Sequence, residues 1–134
     1  MLDHMFLSVS DIARSVAFYG HALAPLGITD RLDYDGKDGP PGHPDLKGFG
    51  SGGRIAFWLR QGVVEGQAVH VGFLAASETQ VDAAYAAAIS AGAADNGAPG
   101  TRIYYDPRYY AANVFDADRY NLEFVFKDWQ HPQQ

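Results

Sequence analysis

Three side chains with metal-ligating chemistry stand far apart in this sequence, at His4, His70 and Glu123. Glu123 is set into Asn121-Leu122-Glu123-Phe124-Val125-Phe126, an apolar and aromatic run that reads as a strand. An ionised carboxylate in such a strand carries a heavy desolvation cost unless something pairs with it. The two histidines head strand-like runs of their own, His4-Met5-Phe6-Leu7-Ser8-Val9 and His70-Val71-Gly72-Phe73-Leu74-Ala75. Two imidazoles and one carboxylate suit one divalent ion such as Fe, Zn, Ni, Mn or Co, and the ligands alone do not choose among them. Three protein ligands leave positions open for water or a chelating substrate, the mark of a catalytic centre. A metal held this way polarises a carbonyl or enediolate oxygen, or binds and activates O₂. The chain must first bring the three residues together.

Side-chain alternation along a strand assigns faces. Met5, Leu7 and Val9 suit a helix-covered side, leaving His4, Phe6 and Ser8 on the other. Val69, Val71 and Phe73 do the same for His70, and Leu122, Phe124 and Phe126 for Glu123. All three candidate ligands therefore fall on the face away from the helices. His21 in a helix, His43 in a loop and His131 in the tail read as surface residues, and Asp116 and Asp118 as turn formers.

The elements follow in a repeated order. After the first strand, Ser10 and Asp11 offer N-cap oxygens to a helix with an apolar stripe at Ile12, Val16, Tyr19, Leu23 and Leu26. Pro25 and Gly27 end it, and residues 28–34 can form a strand. A Gly- and Pro-rich loop over 35–53, interrupted by a short strand near 46–49, leads to a strand at 54–60. A second strand–helix passage occupies 69–75 and the segment after Ser77, where Gln80 three residues on resembles a capping box. Its helix presents Val81, Ala84, Tyr85, Ala88 and Ile89, and Gly92 closes it. Residues 102–105 suggest a further strand. Residues 109–115 and 121–126 suggest a hairpin around Asp116-Ala117-Asp118-Arg119. An offset of about 66 positions lays His4 on His70 and Tyr19 on Tyr85. The expectation is an α+β fold of two pseudo-symmetric βαβββ modules forming a curved mixed sheet, a metal-binding cup with helices on the outer face. Module one covers about 1–62 and module two about 66–127 of a single domain, 1–134, with a short C-terminal tail. The same offset sets Glu123 against Phe57.

Composition narrows the partners. The chain has 134 residues, 47% hydrophobic and 13% aromatic, enough to build a core. Its net charge of −6, with ten Lys and Arg, argues against nucleic acid or an anionic membrane surface as partner. No apolar run approaches a membrane span. Met1-Leu2-Asp3-His4 leads straight into a strand-like run without a basic leader or cleavage site, and there is no cysteine. Cytoplasmic localisation is the expectation.

The constellation resembles the vicinal oxygen chelate superfamily of glyoxalases, bleomycin- and fosfomycin-resistance proteins and extradiol dioxygenases. The likeness is carried by Asp3-His4, Val9-Ser10-Asp11 with Ser15 and Phe18-Tyr19, His70-Val71-Gly72-Phe73, and Asp116-Ala117-Asp118 before Asn121-Leu122-Glu123. The resemblance implies paired modules cupping a metal, His4, His70 and Glu123 as its ligands, and a homodimer. Glyoxalase I-like members place a fourth ligand, commonly Glu, on the strand matching 54–60, where this chain has Phe57. The usual Asp-Pro-Asp-Gly turn becomes Asp116-Ala117-Asp118-Arg119, which calls for a non-glycine residue at positive φ or another turn.

Arg102, Tyr104, Tyr105, Arg108, Tyr109 and Tyr110 supply polar and aromatic groups near the cup. Of these, Arg102, Tyr104 and Tyr110, together with Phe57, stand as substrate-binding candidates, while Trp58 reads as core or as a contact between copies. Two functions from different classes follow. One is a metal-dependent enzyme whose small-molecule substrate chelates through vicinal oxygens, by isomerase or lyase, dioxygenase, or epoxide-transfer chemistry. The other is a metal-free protein of the bleomycin-resistance type that binds a flat aromatic or hydrophobic molecule. A domain with a vestigial site is the third possibility.

Overall fold

The computed structural model describes residues 2–129, so His131 and the rest of the tail lie outside the described residues. Strand β1 (Met5–Val9) leads into helix α1 (Ile12–Leu23). Asp11 caps that helix, its carboxylate accepting from the Arg14 N–H at 3.1 Å. Gly27, at φ 78°, closes the 3-10 turn that follows. Strands β2 (Asp30–Tyr34), β3 (Leu46–Ser51) and β4 (Arg54–Gln61) complete the first unit. The second unit runs through β5 (His70–Leu74) and α2 (Glu78–Ser90). It continues in the two-residue strands β6 (Ala94–Asp95) and β7 (Gly100–Thr101), then β8 (Tyr110–Phe115) and β9 (Asn121–Phe126). Ser77 caps α2 by accepting from the Gln80 N–H at 3.1 Å, and the Gln80 side chain reaches back to the Ala76 N–H at 2.7 Å.

Each unit builds its own sheet. The orders are β1-β4-β3-β2 and β5-β9-β8-β6, with β7 also paired to β8. The first and last strands of each unit run parallel and the other pairs antiparallel. This is the α+β, paired-module architecture expected from the sequence. One buried cluster joins the two sheets, with Phe57 packed edge-on against Tyr19 at 5.1 Å and against Phe73 of the second sheet at 5.3 Å. Between the modules, the Tyr19 hydroxyl donates to Asp116 at 2.6 Å, the Tyr120 hydroxyl donates to the Ser8 carbonyl, and the Ser10 N–H donates to Asp118 at 3.1 Å. Asp116 also accepts from the Asp118 and Tyr120 N–H groups, which makes it the turn former expected. Arg119 takes positive φ, 67°, where the resemblance led one to expect glycine.

Two local expectations are corrected. Residues 102–105 form a turn, because the Arg102 carbonyl accepts from the Tyr105 and Asp106 N–H groups and curls the chain. Strand pairing ends earlier, at Thr101. The repeat also slips by one residue. Phe6 pairs with Trp58 and Gly72 with Glu123, so the counterpart of Glu123 is Trp58, not Phe57. Met5 pairs with Phe57 but Val71 with Leu122, so module one holds one residue more between its outer strands. Its β3 carries an irregularity at Phe49/Gly50.

Candidate functional site

Glu123 lies in the middle of β9, between Gly72 on β5 and Asn113 on β8. Its neighbours Leu122 and Phe124 are fully buried on the helix side, so alternation turns Glu123 the other way. The residue is only 8% exposed. Its carboxylate is held from two directions: His70 Nε2 stands 3.2 Å from Oε1, and the Tyr109 hydroxyl donates to Oε2. Burial, then the bond to Glu123, pushes the Tyr109 phenol well above its ordinary range, so it stays a donor at neutral pH. Gly72 keeps the space beside this pair open, since a Cβ there would meet nothing within 4 Å.

His4 precedes β1 with its side chain 61% exposed. Its Nδ1 donates to Asp3 at 2.7 Å, which leaves Nε2 as the lone-pair nitrogen, the arrangement of a metal-ligating imidazole. That hydrogen bond is the main reason the Asp3 carboxyl lies below its usual range. His4 lines an open cavity of about 560 Å³ with Phe6, Tyr34, His43, Trp58 and Arg60. His70 and Glu123 line another, of about 420 Å³, with Arg102, Tyr104 and Tyr109. The two share no residue. Among the described residues no three His, Cys, Asp or Glu side chains gather closely enough to hold a metal ion. One chain thus brings together His70 and Glu123, and places His4 elsewhere. The imidazole–carboxylate pair has the right donor chemistry for a divalent ion, but as part of a ligand set.

Of the substrate-binding candidates, Arg102 and Tyr104 line the second cavity. The Arg102 guanidinium is tied to the carbonyls of Gly97 and Ala98 at 3.2 and 3.1 Å and to Asn113 at 3.4 Å, so it shapes the wall. Tyr104 is 73% exposed and packs edge-on against Tyr105. Tyr110 faces the other way: its hydroxyl donates to Asp82 of α2 at 2.6 Å, a bond that raises its pKa to about 12. Phe57 lies in the core and faces neither cavity. Tyr109, not Tyr110, lines the second cavity and bonds Glu123. Hairpin register holds the signal: Asn113 opposite Glu123 fixes odd-numbered residues of this segment on the ligand face. Trp58 and His43, read as core or contact and as surface, both line the first cavity, while His21 is exposed as expected.

A family model described as the Glyoxalase/Bleomycin resistance protein/Dioxygenase superfamily matches residues 1–124. Among solved structures, a glyoxalase/bleomycin resistance protein from Albidiferax ferrireducens superposes with a TM-score of 0.78 at 24% identity, covering 95% of this chain and 99% of that one. The fosfomycin resistance protein FosX from Listeria monocytogenes gives 0.65 at 18% identity, covering 94% and 92%. A glyoxalase/bleomycin resistance protein/dioxygenase family enzyme from Burkholderia phytofirmans gives 0.64 at 16%, covering 92% and 96%. No curated protein matches the sequence significantly.

Proposed function

The chain belongs to the glyoxalase/bleomycin resistance protein/dioxygenase superfamily, and on that footing we propose that it is a metal-dependent enzyme for a small substrate bearing vicinal oxygens. His70 and Glu123 of one copy, with His4 of a second, would hold one divalent ion, so the working unit is a homodimer, in the cytoplasm. The observation that carries this reading is the His70–Glu123 pair at 3.2 Å, with Glu123 8% exposed on a largely apolar strand. A buried carboxylate beside an imidazole and a neutral phenol is a costly arrangement unless something cationic completes it. The separation of His4 from that pair within one chain supports the need for a second copy.

When bound, the metal supplies Lewis-acid or O₂-binding chemistry to the substrate's adjacent oxygens. The protein's own part is orientation and proton control. Tyr109 holds one oxygen of Glu123 fixed, and Asp3 fixes the tautomer of His4. Isomerase or lyase chemistry and dioxygenation both fit this arrangement.

Metal content tests it, on protein purified without a metal-binding tag. About one ion per dimer-completed site in wild type, with little in His4→Ala and Glu123→Gln, is the expected result. An empty wild type that also rejects added metal would sink the enzyme reading. The second reading, a metal-free binding protein, draws on the absence of a three-ligand cluster among the described residues of one chain. A binder keeps its ligand in Glu123→Gln, whereas an enzyme loses turnover.

A further inference from the structure

The cavity beside His4 holds something the metal ligands do not explain: a lone cation among aromatic rings. Trp58 lies across β3 directly over Gly48, where any Cβ would come within 2.6 Å of the indole. Only glycine leaves room for the ring to lie there. Phe6 pairs with Trp58 on the neighbouring strand and is 51% exposed. Tyr34 lines the cavity from β2, braced edge-on by His43 at 5.2 Å.

Arg60 sits two residues beyond Trp58 on β4, hence on the same face. Its guanidinium lies over the Phe6 ring, 4.4 Å from the centroid, and Nε donates to Ser8 Oγ at 2.8 Å. The Nη groups meet no acceptor, and no carboxylate pairs with Arg60, among the described residues. Asp3, the carboxylate on this cavity's wall, is already engaged by His4 and by Arg54 at 3.4 Å. A half-buried guanidinium, held by its Nε so that both terminal nitrogens stay available, is built for a bidentate oxyanion. The rings around it are built for a flat apolar body, and about 560 Å³ is ample for one.

We propose that this cavity binds a planar aromatic carboxylate, its ring against Trp58, Phe6 and Tyr34 and its carboxylate on Arg60. The inference rests on reading the cup as a small-molecule site and names the substrate class. Arg60 is then the residue that selects anionic over neutral aromatics.

Calorimetric titration with 2-naphthoate, its neutral isostere 2-naphthamide, and acetate tests the assignment. Wild type is expected to prefer naphthoate over naphthamide by roughly tenfold or more, the effect of one charge-assisted pairing, with acetate too weak to compete. Arg60→Met abolishes the preference, Arg60→Lys keeps part of it, and Trp58→Leu weakens both aromatic probes alike. Wild type titrated in the presence of a metal chelator retains the preference, which separates this inference from the fate of the metal: either can fail while the other stands. Equal affinity for the two aromatic probes in wild type, no binding of either, or an undiminished preference in Arg60→Met overturns it.

Discussion

Tyr109 and Tyr110 are adjacent in sequence and opposite in role. The Tyr109 hydroxyl holds Glu123 on the ligand face, and the Tyr110 hydroxyl holds Asp82 on the helix face. Removing a group that orients a metal ligand weakens metal binding roughly 10- to 100-fold. With Glu123 as a ligand of the proposed metal, Tyr109→Phe is expected to lower metal affinity by about that factor, and Tyr110→Phe to leave it unchanged, in a competitive chelator titration. Equal effects would contradict the face assignment. At this scale the sequence was informative where parity sufficed: apolar neighbours put Glu123 and His70 on one face, and the structure places them 3.2 Å apart. It was silent where register mattered. Matching the repeat through its histidines passes over the extra residue in module one, so Phe57 took the position that pairing gives to Trp58. Among Tyr104, Tyr109 and Tyr110, only pairing with β9 tells which phenol meets the carboxylate.

Caps and turns made the elements legible. Asp11, Ser77 with Gln80, and Gly27 sit where their side chains or backbone freedom are used. The strand expected at 102–105 failed because nothing in the sequence announces that the Arg102 carbonyl turns the chain back on itself. Glycines inside strands show why element-level prediction needs tertiary contacts. Gly50 lies at the β3 irregularity, and a Cβ there would stand 1.8 Å from the Arg54 carbonyl oxygen, a backbone atom that cannot step aside. Gly72 lies in β5 with open space around it. Gly50→Ala is expected to cost about 2 kcal/mol or more by overpacking. Gly72→Ala should be neutral or stabilising by roughly 0.5 kcal/mol through loss of unfolded-state freedom. Urea denaturation of the pair reads both, and similar losses would mean that the β3–β4 hairpin yields more easily than its geometry indicates.

Across the whole molecule tyrosine hydroxyls donate to carboxylates or to a backbone carbonyl, and this gives it a distinct alkaline limit. Tyr19, Tyr85, Tyr109, Tyr110 and Tyr120, five of eight tyrosines, have raised pKa values, Tyr19 through burial and then the Asp116 charge. Above about pH 10 the unfolded chain gives up phenolic protons that the folded chain keeps, so stability falls as pH rises through that range. Urea midpoints should drop steeply from about pH 9.5 to 11.5, and less steeply in Tyr110→Phe, whose lost phenol titrates at about 12. A midpoint unchanged over that interval would mean these phenols are free to ionise in the folded protein. Alternation and caps say nothing of a second copy, because neither reaches beyond the chain. Yet the placement of His4 in one cavity and His70 with Glu123 in another has a genetic consequence. Two defective alleles, His4→Ala and Glu123→Gln, should rescue each other when co-expressed. Each mixed dimer would hold one site with every ligand intact and one with two defects, so random pairing would restore about a quarter of wild-type sites. Sites confined to single chains would restore none.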